Sequence, residues 1–196
     1  MNRTDILNRL IAYFRYNSYL EIGVADPRLN FNAVQINDAD KIGVDPDPVG
    51  STYQMTSDEF FASNKNQFDL IFIDGLHHQD QVYRDILNAL KALNPNGTIV
   101  CHDMNPTTYE AQVVPRQQDT WFWTGDCWRA WVKLRMERPD LDMKVVNTDW
   151  GCGIIRVGAQ AVLSHIPTIE WNDFVVHRAE WLNLISIEEF DKLYSI

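Results

Sequence analysis

Cysteine is scarce in this chain of 196 residues. Cys101, Cys127 and Cys152 are odd in number and far apart, with no CxxC pair. That excludes a disulfide framework and a cysteine-rich zinc site, and makes a reducing cytoplasm the expected setting. Basic residues are also few: 17 Lys and Arg against 27 Asp and Glu give a net charge of −10. A nucleic-acid backbone or an anionic membrane surface is repelled on average, so neither is an expected partner. No apolar run reaches the roughly 20 residues that span a bilayer. The N-terminal MNRTDILNRLIAYF interrupts its apolar residues with Arg3, Asp5 and Arg9, which suits an amphipathic helix and not a secretory leader. Tryptophan is missing from the first 120 residues, whereas all seven (Trp121, Trp123, Trp128, Trp131, Trp150, Trp171 and Trp181) follow. The two parts of the chain are therefore expected to do different work.

What is present is an alternation of helical and extended patterns. Ile6, Leu7, Leu10, Ile11 and Phe14 repeat at helical spacing over residues 4–15. SYLEIGVAD reads as a buried strand, and residues 28–37 are compatible with a helix. KIGVD (41–45) is a second strand, and SDEFFASN a short helix with Ser57 as N-cap. FDLIFID (68–74) is apolar nearly throughout, as in a strand covered on both faces. A helix over 79–93 follows, stopped by NPNG, and then the strand TIVCHD (98–103). Cys127–Glu137 has helical spacing, and residues 143–157 read as a hairpin. Strand–helix alternation argues for a parallel sheet with right-handed crossovers. Residues 1–160 form the expected domain, and 161–196 a C-terminal helical extension packed on it.

In an open parallel sheet, ligands bind beyond the carboxyl ends of the strands. The predicted strand ends carry Glu21 and Gly23, Asp45, Asp74, and His102 with Asp103. LEIGVADP resembles the nucleotide-binding loop of class I S-adenosylmethionine-dependent methyltransferases. Glu21 matches that family's acidic strand residue, Gly23 its first glycine and Ala25 a later small residue; Asp26, Pro27 and Arg28 depart from it. Asp45, 22 residues after Gly23, stands where an acidic residue takes both ribose hydroxyls. A nicotinamide enzyme would need glycines where Ala25 and Arg28 stand. The stretch from Phe68 to Pro106 is similar to small-molecule O-methyltransferases that include sugar-modifying enzymes of macrolide and aminocoumarin biosynthesis. Asp74-Gly75-x-His77, Asp85, Asn96-Gly97 and His102-Asp103 carry the likeness, which spans about residues 18–106. It implies an α/β, Rossmann-like parallel sheet with helices on both faces and a closing antiparallel hairpin strand. It also implies S-adenosyl-L-methionine as cofactor, contacted by Glu21, Gly23, Ala25, Asp45, Pro46, Ser57, Asp58 and Asp74.

Methyl transfer to an alcohol needs alignment and removal of a proton. Asp74 and Asp103, ending neighbouring strands, can reach one cation with His102 between them. A divalent metal (Mg²⁺, or with the imidazole rather Mn²⁺) then activates the acceptor, or the carboxylates act by hydrogen bonding alone. His77 is the first candidate for general base and His78 the second, beside Asp74. Asn105, Arg116, Trp121 and Trp123 belong to an aromatic segment (106–131) that must leave from the active-site edge. It forms either an acceptor wall or a homodimer interface. The expected activity is O-methylation of a small polar acceptor, a sugar or glycan-precursor hydroxyl first. The alternatives are transfer to a nitrogen or a phenol, or an inactive cofactor-binding module.

Overall fold

The apolar runs bounded by Gly, Asp and Asn fold into a single sheet. The computed structural model describes residues 1–195. The strands are β1 (Tyr19–Ile22), β2 (Lys41–Asp45), β3 (Tyr53–Gln54), β4 (Phe68–Ile73), β5 (Leu93–Cys101), β6 (Leu141–Val146), β7 (Cys152–Val157) and β8 (Leu184–Ile185). They lie in the order β3-β2-β1-β4-β5-β7-β6-β8. Only β7 runs against the others. The helices are α1 (Arg3–Phe14), α2 (Ser57–Ser63), α3 (Gln79–Lys91), α4 (Tyr109–Gln112), α5 (Cys127–Glu137), α6 (Trp171–Leu182) and α7 (Ile187–Leu193).

Alternate strand residues feed two cores. Leu20, Ile71, Ile73 and Ile99 face Ile86 of α3, Trp128 and Trp131 of α5, and Phe174 of α6. Tyr19, Leu70, Phe72 and Val100 face Ile6, Leu7 and Leu10 of α1 and Phe190 of α7. The sheet is therefore covered on both sides, which is why β4 is apolar nearly throughout. Trp128 and Trp131 are fully buried, and Trp131 fits because β7 carries Gly153 against its ring. All three cysteines are buried and unpaired. Among the described residues no helix is long and apolar enough to cross a membrane.

Four local expectations change. Residues 28–37 form no α-helix, only a 3-10 turn over Phe31–Ala33. Val34 and Ile36 alternate into the α1-side core with period two, and Asn30 turns inward, so no helical face is left to bury. The cap of α2 is Thr56, whose hydroxyl accepts from the Glu59 N–H while Glu59 reaches back to Thr56; Ser57 is thereby freed. NPNG does not simply end a helix. The register jumps from Phe68↔Leu93 to Leu70↔Thr98, so residues 94–97 bulge out of a strand that starts earlier than expected. The C-terminal extension is not wholly helical, because β8 pairs with β6.

Trp131→Ala should cost about 3–5 kcal/mol by emptying the space beside Gly153. A lower urea midpoint at unchanged slope would report it. A loss under about 1 kcal/mol would mean that α5 collapses onto β7 without the indole.

Candidate functional site

Beyond β1 the chain crosses closely over the end of β4. Gly23 lies at φ 86, and a side chain there would overlap the carbonyl of Asp74. Only glycine meets both demands. The Ala25 N–H, just after it, donates to Asp45 Oδ2 at 2.9 Å, while Asp45 Oδ1 accepts from the Asp47 N–H at 2.9 Å. Asp45 thus ties the loop after β1 to the end of β2. These crossings enclose a cavity of about 590 Å³. Glu21, Gly23, Ala25, Asp45, Pro46, Ser57, Asp58, Asp74 and His77 all line it.

Inside, Glu21 Oε2 accepts from the Tyr19 hydroxyl at 2.5 Å and from Asn30 Nδ2 at 2.9 Å. Burial pushes its carboxyl up to about 7 against the pull of those donors. Asp85 plays a supporting part. Its Oδ1 accepts from Gln81 Nε2 at 3.0 Å, and Gln81 also donates to Ser57 Oγ at 3.1 Å on the cavity wall. Burial lifts the Asp85 carboxyl to about 6.

The cavity ends at a cluster of carboxylates and imidazoles. His77 Nε2 lies 3.4 Å from Asp74 Oδ1 and 3.2 Å from Asp103 Oδ2. His102 Nδ1 lies 3.4 Å and 3.3 Å from the same two oxygens. Asp103 sits at φ 63 past the end of β5, 2% exposed, and among the described residues its Oδ1 has no partner. Three ligand atoms, from Asp74, His102 and Asp103, lie within 4.8 Å of one another. His102 Nε2 faces Asp149 Oδ1 at 3.5 Å and Arg3 Nη1 at 3.2 Å. Burial would raise the Asp74 carboxyl, but the two imidazoles outweigh it and hold Asp74 well below the carboxylate range. For His77 burial works downward and the two carboxylates prevail, so its pKa is raised. His102 is raised further by the same balance.

The aromatic segment divides. Trp123 stacks on the His77 ring, centroids 5.2 Å apart, and His77 Nδ1 is 3.1 Å from the Trp123 carbonyl. That carbonyl can only accept, so Nδ1 carries hydrogen and Nε2 is the nitrogen turned to the carboxylates. Gly125 lets the segment pass against the His77 backbone, where a side chain would overlap. Trp121 is 97% exposed, and the Arg116 guanidinium donates to the Thr120 carbonyl of its own loop. Neither lines the cavity. Asn105 is buried, donating to Asn147 and accepting from Arg178. His78 starts α3 without capping it and also lies outside the cavity lining.

Arg3, Asn30, Gln81 and Asp149 belong to the site but were not singled out from the sequence. Arg3 and Asp149 lie 146 residues apart and meet through the Arg3 N–H and Asp149 Oδ2 at 2.7 Å. No local spacing could have paired them. An available signal was TDWG, a hairpin tip whose Asp149 and Trp150 both take positive φ where Asn-Gly is usual.

Residues 21–104 match a family described as a methyltransferase domain. Among curated proteins, no sequence matches. Solved structures are similar in fold. A provisionally assigned O-methyltransferase from Klebsiella pneumoniae is 16% identical, with 80% of each chain covered and a TM-score of 0.60. The Podospora anserina methyltransferase PaMTH1, bound to S-adenosylhomocysteine, is 20% identical over 76% of each chain, TM-score 0.56. The O-methyltransferase TomG from Streptomyces achromogenes, involved in tomaymycin synthesis and solved with S-adenosylmethionine, is 16% identical over 78% of each chain, TM-score 0.53.

Glu21 generates a pH signature. Its folded carboxyl titrates near 7 against an ordinary 4.5, so the folded state keeps the proton across that window. Its stabilising effect is full below 4.5 and is lost as pH rises through 7. The stability of the wild type relative to Glu21→Gln should fall by about 3 kcal/mol between the ends of the window. Urea unfolding at pH 4.5 and 7.5 measures this; parallel curves would show the carboxyl to be hydrated.

Proposed function

We propose that this chain is an S-adenosylmethionine-dependent O-methyltransferase acting on a hydroxyl of a small polar acceptor, a sugar or glycan precursor first. One observation carries the reading. Gly23, Asp45, Ser57 and Asp58 share a single cavity with Asp74 and His77, so a nucleoside site adjoins a proton-accepting site. PaMTH1 and TomG, solved with S-adenosylhomocysteine and S-adenosylmethionine, support the choice of cofactor. Residues 1–160 form the catalytic domain in this reading, and 161–196 an extension on the same body. Buried free thiols accord with a reducing compartment.

Bound S-adenosylmethionine supplies an electrophilic methyl group on a sulfonium. Asp45 would hold the ribose hydroxyls, and Ser57 and Asp58 the adenine edge. The backbone at Gly23 leaves room for the tail. His77 takes the acceptor proton on Nε2, because Nδ1–H is committed to the Trp123 carbonyl. Asp74 and Asp103, facing that same Nε2 at 3.4 and 3.2 Å, stabilise the imidazolium by their charge. A second cavity of about 270 Å³, walled by Asn105, Asn147, Thr148, Asp149 and Trp150, adjoins the cluster through Asp149. Its amides and hydroxyl suit a polyhydroxylated acceptor.

The donor set also fits a divalent cation. Asp74, His102 and Asp103 would hold it, using the free Oδ1 of Asp103, and would lower the pKa of the acceptor hydroxyl. The nitrogen ligand favours Mn²⁺ over Mg²⁺.

Calorimetry should show binding of S-adenosylmethionine and S-adenosylhomocysteine and none of NAD. Binding without transfer to any acceptor would identify an inactive module. His77→Ala should lower turnover about 10²–10⁴-fold with cofactor affinity kept; unchanged turnover rejects it as the base. With His77 raised, the acid limb of the kcat profile should lie above 6.5, and Asp103→Asn should move it down. Treatment with EDTA followed by single metals tests the cation: full activity in stripped protein assigns the cluster to proton handling alone.

A further inference from the structure

The cavity that would take the cofactor is lined by four carboxyl side chains, those of Glu21, Asp45, Asp58 and Asp74. Its lining contains one Arg or Lys, Arg3. On the reading above, the occupant brings positive charge on sulfonium and ammonium, which the carboxyls suit. It also brings one carboxylate, on the amino-acid tail, and four acidic neighbours would repel that group. Its desolvation needs a cation or several directed donors.

Arg3 is placed for that partner. It is the first residue of α1, a helix of 12 residues capped by Asn2, so the positive end of the helix dipole adds to its charge. The Arg3 N–H is anchored on Asp149 at 2.7 Å, and the Thr148 hydroxyl donates to the Met1 carbonyl at 2.5 Å. The next residue, Thr4, donates to Asn30 Oδ1 at 2.7 Å, fixing α1 to the loop beside Glu21. The backbone is thus held from both sides of the cavity. The guanidinium is less committed. Nη1 reaches His102 Nε2, but the flanking carboxylates stand off at 3.7 Å for Asp149 and 3.9 Å for Asp74. An arginine present only to neutralise them would close to bidentate distance, near 2.8 Å. Among the described residues Nε and Nη2 make no hydrogen bond, and the side chain remains 25% exposed.

We propose that Arg3 is the specificity-determining residue for the cofactor's amino-acid tail: its guanidinium pairs with the tail carboxylate and selects S-adenosylmethionine and S-adenosylhomocysteine over adenosine thioethers without that tail. The inference rests on the methyl-donor reading, yet the two can fail separately.

The test is calorimetry of the full chain with two probes, S-adenosylhomocysteine and 5′-methylthioadenosine, the second lacking the amino-acid group. Wild type should bind the first more tightly. Arg3→Gln should weaken S-adenosylhomocysteine about 10- to 100-fold, leave 5′-methylthioadenosine within about twofold, and so erase the preference. Arg3→Lys should recover part of it as a point charge. Intact binding of 5′-methylthioadenosine also certifies the fold of each variant. Equal losses for both probes would reduce Arg3 to a structural role and overturn the proposal. So would unchanged affinity for S-adenosylhomocysteine, or a wild type without preference. A wild type that binds neither probe brings down the methyl-donor reading itself.

Discussion

The passage of Gly23 over the carbonyl of Asp74 is the contact on which the rest of the site depends. β1 and β4 are parallel neighbours, with Ile22 beside Ile73, so the chain leaves both strands at one level. One of the two exits must rise over the other. With no side chain at Gly23 the rise is small, and the loop can turn back to place the Ala25 N–H on Asp45. That turn opens space above β1 and β2 while holding Asp74 at its rim. A bulkier residue would lift the loop, break the bond to Asp45 and separate the Asp45 side of the cavity from Asp74.

Charge is handled in two ways within a few ångströms. Glu21 has hydroxyl and amide partners without a countercharge, and burial keeps it neutral over much of the acid range. Asp74 is held ionised by two imidazoles. From Arg3 through Asp149, His102, Asp74 and His77 the groups alternate in sign, with Asp103 beside both rings. Buried ions survive only when paired in this fashion. Within this cluster Arg3 and the two imidazoles face the three carboxylates of Asp74, Asp103 and Asp149.

The strands β1, β2 and β4, the helix α3 and the acidic strand ends were legible because burial on both faces and turn chemistry leave local marks. Val34 and Ile36 misled because a short stretch of apolar residues suits a helix face or an extended loop equally until its neighbours are known. Trp123 and Trp121, two residues apart, looked alike in sequence. One lies on His77 and the other in solvent, a difference set by Gly125 and the path of the loop. Arg3 and Asp149 were invisible as a pair because only the folded sheet brings the start of the chain to the hairpin tip.

Both margins of the sheet are two-residue strands, β3 at one side and β8 at the other. Just before β3, the Thr52 hydroxyl accepts the Gly43 N–H of β2; just before β8, the Asn183 amide donates to the Met143 carbonyl of β6. One backbone group beside each margin is therefore engaged by a side chain, and each margin offers a foreign strand only two residues to pair with. Edge-to-edge stacking of copies into fibres is thus disfavoured by the two shortest strands of the sheet.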